Sequence, residues 1–267
     1  MRVTDRISLA GWSLVRRFRG ETTPLALLDF PRVARQEFGF DAIELNNVFF
    51  ESTTSTYLSD LRRRADGEGV AMLNIAVDKC GDMASPREWR EAVKRHRSWL
   101  DAALALGCTA IRANVGGYDA PSALVALAVA KESFAALAAE AAERGVMLLI
   151  ENHWGLSADP AAIVTIVEAA NTPWLGTLPD FGNFPDEIRY AGLAQIAPYA
   201  RAVHAKFYDF APDGSQPRLD IARCVEILRA AGYQGSWGIE YEGKGDEHEG
   251  IVRSRDMLRA LLEAPPA

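Results

Sequence analysis

The sequence predicts an α/β fold, a (β/α)8 TIM barrel, with residues 1–267 forming one domain. Three observations point to it. Short apolar runs alternate eight times with longer helical stretches. The apolar runs are mostly continuous, as expected for parallel strands covered by helices. Several helical stretches stop at a glycine just before the next run, in EFGF, GEGV, ALGCT, ERGVM and AAGYQG, where glycine supplies the left-handed helix stop. Eight such units in about 250 residues match the count and size of a barrel. A doubly wound open sheet is the competing architecture. It usually needs fewer strands at this length, and no G-x-G-x-x-G follows the first run.

The units follow in order. RISLAGWSL reads as the first strand, and Pro24 to Phe38 as its helix, with Pro24 suited to a helix start because its missing N–H has no partner there. FDAIEL precedes a helix from Thr54 to Glu68. VAMLNIAV precedes one from Pro86 to Leu106. TAIRANV leads into the alanine-rich stretch from Pro121 to Arg144, and VMLLIEN into Asp159 to Ala170. WLGTLPDF is followed by Asp186 to Ala197, ARAVHAKFY by Leu219 to Ala230, and GSWGIEYE by Glu247 to Glu263.

Composition narrows the function. The chain has 267 residues, 49% of them hydrophobic, and a formal net charge of −7. An acidic chain without a long basic run argues against nucleic acid as a partner. No uninterrupted apolar run approaches the roughly 20 residues of a membrane helix; the nearest, SALVALAVA, is broken by Lys131 and Glu132. The N-terminal stretch does not read as a signal peptide. Cys80, Cys108 and Cys224 are odd in number without C-x-x-C spacing, so reduced thiols in a cytoplasmic protein are expected. Nothing in the sequence stands against a homo-oligomer.

In a barrel of this kind the active site lies at the C-terminal ends of the strands. Trp12 and Ser13 end the first run, a candidate pocket wall. Glu44, Asn46 and Asn47 end the second, Asn74 and Asp78 the third, Arg112 and Asn114 the fourth, Glu151 and His153 the fifth, Asp180 and Asn183 the sixth, His204 and Lys206 the seventh, and Glu240 and Glu242 the eighth. Glu151, Asp180, His204 and Glu240 therefore come from four successive strand ends. Carboxylates converging in a low-dielectric mouth would repel one another, and a divalent metal removes that conflict. Oxygen-rich donors with one imidazole suit Mn²⁺ or Mg²⁺, with Co²⁺ or Zn²⁺ as alternatives. Alternation along a strand turns His153 the way of Glu151, and Lys206 the way of His204.

Each residue alone also has an ordinary reading. A glutamate can be solvated, His204 can be a hydrogen-bonded core histidine, and Asp180 can be a turn acid or a helix cap. Arg112 can pair with a rim acid or bind substrate. Asn74 and Glu44 are further candidates. EGKGDE after the eighth run is either a phosphate cradle at a helix start or a mobile polar loop. Cys80 lacks a basic partner that would make it a nucleophile. Trp12, Trp154, Phe181, Phe184 and Trp237 can wall a sugar pocket or belong to the core.

LLIENH, GTLPDFGNF, AVHAKFYDF and WGIEYEG resemble, in order and over nearly the whole chain, the xylose isomerase-like barrel superfamily, in particular its sugar phosphate isomerase/epimerase members. The resemblance implies one divalent metal held by Glu151, Asp180, His204 and Glu240. It also implies that the two glutamates serve as acid and base on either face of a ketose, through an enediolate. Two positions depart from the ketose 3-epimerase pattern: Asn183 stands where a histidine is typical, and Lys206 where an arginine follows. The endonuclease branch needs more histidines than His96, His153, His204 and His248. The resulting expectation is a metal-dependent sugar isomerase or epimerase with a small-molecule sugar substrate. Glu151, Glu240, His153 and Lys206 would do the chemistry, and Arg112, Asn74, Asn183 and Trp12 would bind substrate. The alternative is a lyase or dehydratase acting on a keto-sugar or 3-keto-glycoside with His153 as base. A third reading is a barrel that binds a sugar or a protein without turnover.

Overall fold

The computed structural model describes residues 5–264. Its strands are β1 (Ile7–Ala10), β2 (Ala42–Asn46), β3 (Ala71–Val77), β4 (Ala110–Ala113), β5 (Met147–Glu151), β6 (Leu175–Leu178), β7 (Val203–Phe207) and β8 (Trp237–Tyr241). Every recorded strand pairing is parallel, in the order β6-β5-β4-β3-β2-β1-β8-β7. The two ends of this order, β6 and β7, meet through bridges between Thr177 and Ala200 and between Asp180 and His204. His204 N donates to Pro179 O at 3.0 Å, and Phe181 N to His204 O at 3.1 Å. The expected (β/α)8 barrel is thus observed, and its seam lies where two of the candidate ligands sit.

The helices are α1 (Val15–Phe18), α2 (Phe30–Gln36), α3 (Ser55–Glu68), α4 (Trp89–Leu106), α5 (Ala123–Arg144), α6 (Pro160–Ala170), α7 (Arg189–Ile196), α8 (Ile221–Ala230) and α9 (Glu247–Glu263). Several starts are fixed by side-chain caps. Thr54, Ser122, Asp159, Asp220 and Asp246 accept from the backbone N–H of Tyr57, Val125, Ala161, Arg223 and Glu249. Each such cap stabilises by about 1 kcal/mol. Gly69, Gly107 and Gly145 end α3, α4 and α5 in the left-handed conformation, as their placement before strands predicts.

Several element boundaries differ from expectation, and for three of them the bonds responsible are visible. GWSL does not extend β1; it forms a 3-10 turn over Gly11–Leu14 that leads into α1. Ser13 holds that turn to β8, donating to Ile239 O at 2.9 Å and accepting from Tyr241 N at 2.8 Å. The helix expected from Pro24 begins at Phe30, with Pro31 in its first turn. Leu25 N bonds back to Arg17 O, so the chain around Pro24 closes a loop first. Likewise α4 begins at Trp89 rather than Pro86, because Ser85 Oγ accepts from Arg87 N and Glu88 N in a turn ahead of the helix.

The core has two parts. The larger lies between strands and helices and includes Phe30, Phe134, Phe207 and Trp237, all fully buried. The smaller is a plug of Ala110, Leu149, Leu178 and Ala202, with Met147 packed against it. Each of these four residues stands two places before Arg112, Glu151, Asp180 or His204. Alternate residues of a strand share a face, so a thin apolar floor carries a polar layer above it, toward the strand C-termini.

Candidate metal centre

That polar layer is buried. Glu151, Asp180, His204 and Glu240 each offer one ligand atom, and these atoms lie within 4.8 Å of one another. Glu151 and Asp180 are 3% and 0% exposed, His204 1% and Glu240 6%; at such burial carboxylates need cations close by. His204 Nδ1 lies 2.7 Å from Glu151 Oε1 and 3.6 Å from Glu240 Oε1. Lys206 pairs in register with Glu240 across β7 and β8. Its Nζ stands 2.9 Å from Glu240 Oε2, 3.3 Å from Asp180 Oδ2 and 3.1 Å from Glu242 Oε1. Arg112 closes the other side, with Nε 3.1 Å from Glu151 Oε2 and Nη1 2.7 Å from Asp78 Oδ1.

The chemistry of the donor set fits a divalent ion. The carboxylates of Glu44, Asp78, Glu151, Asp180, Glu240 and Glu242 outnumber the permanent cations Arg112 and Lys206 that touch them. Asp180 Oδ2 is buried without a hydrogen-bond partner, since Lys206 reaches it at ion-pair distance but without alignment. Burial, reinforced by Glu240 and Glu151 and opposed by Lys206, pushes the Asp180 carboxyl up to about 7. For Glu151, burial acts upward, but His204 and Arg112 outweigh it and hold the carboxyl below its ordinary range. For His204, burial acts downward, and Glu240 and Glu151 outweigh it to raise the ring well above the imidazole range. Burial opposes the charge of Lys206, while Asp180, Glu240 and Glu242 secure it.

The layer around these residues is built in detail. His204 Nε2 donates to Glu44 Oε2 at 3.1 Å. Glu44 is in turn held by Ser8 Oγ at 2.6 Å and Asn74 Nδ2 at 2.8 Å. A side chain at Gly238 on β8 would strike the Glu44 carboxylate, so this glycine makes the room for Glu44. Asn152 clamps the backbone of Asp180 from both sides: its Nδ2 donates to Asp180 O at 2.9 Å and its Oδ1 accepts from Asp180 N at 2.7 Å. Asp180 Oδ1 also accepts from Gly182 N and Asn183 N. The turn-acid reading of Asp180 therefore holds, with Oδ1 ordering the loop, and Oδ2, facing Lys206, is left free to serve as a ligand.

The other expected site residues divide. Asn183 Oδ1 accepts from Lys206 Nζ at 3.0 Å, and Asn74 reaches the site through Glu44. His153, beside Glu151, places Nδ1 3.2 Å from Asn114 Oδ1 and stacks on Trp154 at 3.6 Å. Trp12 stacks on Phe49 with Arg19 over its ring, and no contact with the ligand group is recorded for it. Phe181, Phe184 and Trp237 are core residues, while Trp154 stays 46% exposed. The backbone N–H groups of Lys244 and Gly245 in EGKGDE donate to Asp209, as does the Tyr241 hydroxyl; an internal carboxylate takes the donors that a phosphate would use. Burial pushes the Cys80 thiol up, against a nucleophilic role.

Asn114, Asp78 and Asn152 were visible at strand ends but carried no signal of their own. Apart from the short-range bond between Arg112 and Asn114, the bonds that place them in the site run to residues 28 to 39 positions away in the chain.

The sequence profile of the xylose isomerase-like TIM barrel family matches residues 33–261. The chain belongs to this family. Among solved structures, a xylose isomerase-like TIM barrel protein from Mycobacterium smegmatis in complex with magnesium superposes with a TM-score of 0.75 at 17% identity, covering 97% of each chain. The 3-keto-D-glucoside 4-epimerase of E. coli superposes with a TM-score of 0.75 at 17% identity, covering 96% of this chain and 99% of that one. At such identities the likeness is one of fold. By sequence, the chain is 32% identical over 75 residues to the C-glycoside deglycosidase alpha subunit of Arthrobacter globiformis. That match covers 26% of this chain and about a fifth of the relative, 21% of its length. No helix among the described residues is long and apolar enough to cross a membrane.

Proposed function

We propose that this protein is a divalent-metal-dependent isomerase or epimerase of a keto-sugar, moving a proton at the carbon beside a carbonyl. The observation that carries the reading is the buried Glu151–Asp180–His204–Glu240 group, set at the strand ends where barrels of this kind keep their chemistry. These four residues would hold the ion, and Mn²⁺ or Mg²⁺ suits so oxygen-rich a set better than Co²⁺ or Zn²⁺. Bound there, the ion would polarise the carbonyl oxygen as a Lewis acid.

The chain's own residues do the rest. Glu151 and Glu240 stand on β5 and β8, and one removes the proton that the other returns. Arg112, anchored by Asp78, fixes Glu151; Lys206 fixes Glu240 and places a positive charge beside the substrate oxygens. With Asp209 bound by the amides of Lys244 and Gly245, at the corner where many TIM barrels bind phosphate, a sugar without a phosphate is favoured. A small soluble substrate met in the cytoplasm fits the free Cys80, Cys108 and Cys224.

A second reading has one specific support. His153 lies beside Glu151 with its Nδ1 already held by Asn114, a base suited to taking the C2 proton of a 3-keto-glycoside so that the glycosidic substituent leaves. The Arthrobacter relative's deglycosidase name agrees with it.

The deciding experiment incubates the Mn²⁺- or Mg²⁺-loaded protein in D₂O with a panel of ketoses and 3-keto-glycosides, followed by NMR. Deuterium incorporation with inversion or isomerisation, and no elimination, is the expected result. Release of the aglycone would replace the first reading by the second. Inertness toward the whole panel would sink both.

A further inference from the structure

The strand ends of β3, β4 and β5 meet in a four-membered network. Asp78 Oδ1 accepts from Arg112 Nη1 at 2.7 Å and from Asn114 Nδ2 at 2.7 Å. Arg112 Nη1 donates to Asn114 Oδ1 at 2.9 Å. His153 Nδ1 faces that same oxygen at 3.2 Å. The neighbours dictate the orientation of the Asn114 amide. A carboxylate only accepts and a guanidinium only donates. The Asn114 amide therefore has one permitted orientation, NH₂ toward Asp78 and oxygen toward Arg112. Flipping it would set NH₂ against the guanidinium and C=O against the carboxylate. The oxygen has two lone pairs; Arg112 takes one and His153 the other. An acceptor at 3.2 Å requires a proton on Nδ1.

We infer that Asn114 is a positioning residue that holds His153 as the Nδ1–H tautomer, leaving the lone pair of the neutral ring on Nε2. The ring has little freedom to escape this. Trp154 covers one face at a centroid distance of 3.6 Å with 27° between planes, and the backbone N–H of His153 donates to Ser157 Oγ. A half-turn of the ring would put a C–H against the Asn114 oxygen. An imidazole takes protons through its lone-pair nitrogen, and which nitrogen that is follows from the bond the other makes. Any proton His153 accepts from a substrate is thus taken by Nε2, whether the outcome is epimerisation or elimination. The catalytic weight of this assignment rests on the sugar-chemistry reading above; the tautomer does not.

Two-bond ¹H–¹⁵N NMR correlations of the imidazole rings test it on the full-length ¹⁵N-labelled protein. His153 is assigned by its loss in His153→Gln, and the spectra are taken at alkaline pH, with and without Mg²⁺. Wild-type protein shows the Nδ1–H pattern for His153. Asn114→Ala shifts it toward Nε2–H, and the exchange Asp78→Asn with Asn114→Asp, which keeps an acceptor facing the ring, retains Nδ1–H. An Nε2–H pattern in the wild type overturns the inference without recourse to any variant. So does a wild-type pattern in Asn114→Ala. On a substrate whose turnover His153→Gln shows to depend on His153 as base, Asn114→Ala lowers kcat at least tenfold with KM little changed. A switched tautomer with unchanged kcat removes the positioning role. A wild type inert toward every sugar tried defeats the functional reading and leaves the tautomer result standing.

Discussion

His204 on β7 and Glu44 on β2 meet across the barrel interior, Nε2 to Oε2 at 3.1 Å. The bond fixes which imidazole nitrogen is left to face Glu151 and Glu240. A histidine that ligates a metal commonly donates its other N–H to a carboxylate, and losing that partner costs about 10- to 100-fold in metal affinity. Glu44→Gln is therefore expected to weaken Mn²⁺ binding by that factor while the fold is kept. Calorimetric titration of the two proteins checks it, and equal affinities would show that Glu44 only fills space.

Asp180→Ala should abolish stoichiometric binding of a divalent ion. The fold should survive, because Asn152 holds the backbone at this position and a rim acid serves function more than stability. Elemental analysis after dialysis against Mn²⁺, with circular dichroism as the control, reads both halves. A variant that keeps full occupancy would mean the ligand set is wrong.

Metal binding should release protons. Glu240 and Glu151 raise His204 well above its ordinary value despite burial, so the ring is protonated near neutrality, and a ligating nitrogen must give its proton up. Asp180, pushed up to about 7, adds a second proton below that pH. Affinity should thus climb with pH, by up to about tenfold per unit for each proton displaced. Titrations in buffers of different ionisation enthalpy count the protons, and an affinity that does not change with pH around neutrality, where His204 still carries its proton, contradicts the assignment.

His153→Gln separates the two enzyme readings. If the glutamates carry the proton transfers, activity falls modestly. If His153 is the base, the rate drops by about 10²- to 10⁴-fold, with metal affinity preserved in either case. Rates measured on the metal-loaded variant decide, and wild-type activity would return the chemistry to Glu151 and Glu240 alone.

His96, which is not one of the candidate ligands, gives a stability prediction. It is 1% exposed within α4, its Nδ1–H donates to Ala92 O at 2.7 Å, and burial pushes it down to about 4. The unfolded chain takes up this proton below its ordinary value of about 6.5, whereas the folded chain does so only near 4. Stability is therefore full above pH ~6.5 and declines as pH falls toward 4, by up to about 1.4 kcal/mol per unit from this residue. Urea unfolding of wild type and His96→Leu across that range isolates the contribution; parallel pH profiles would refute it.

The sequence by itself determined the barrel and the strand ends at which its buried polar layer stands. Unbroken apolar runs must be buried on both faces, glycines stopped helices before strands, and four runs ended in Glu151, Asp180, His204 and Glu240. The helices over 55–68 and 247–263 were legible because capping residues and periodicity are local signals. GWSL and the stretch after Pro24 were not. Their conformation is set by bonds from Ser13 to β8 and from Leu25 to Arg17, which a local pattern does not encode. Tertiary structure alone decided how the four candidate ligands are held. Glu44 could be seen as a strand-end acid, but only closure of the barrel sets it against His204 and into the space left by Gly238. The same closure joins Asp78, Arg112 and Asn114, on neighbouring strands, to His153. Strand alternation says which way a side chain points; which partner it meets depends on the tilt and register that bring distant strands to one level.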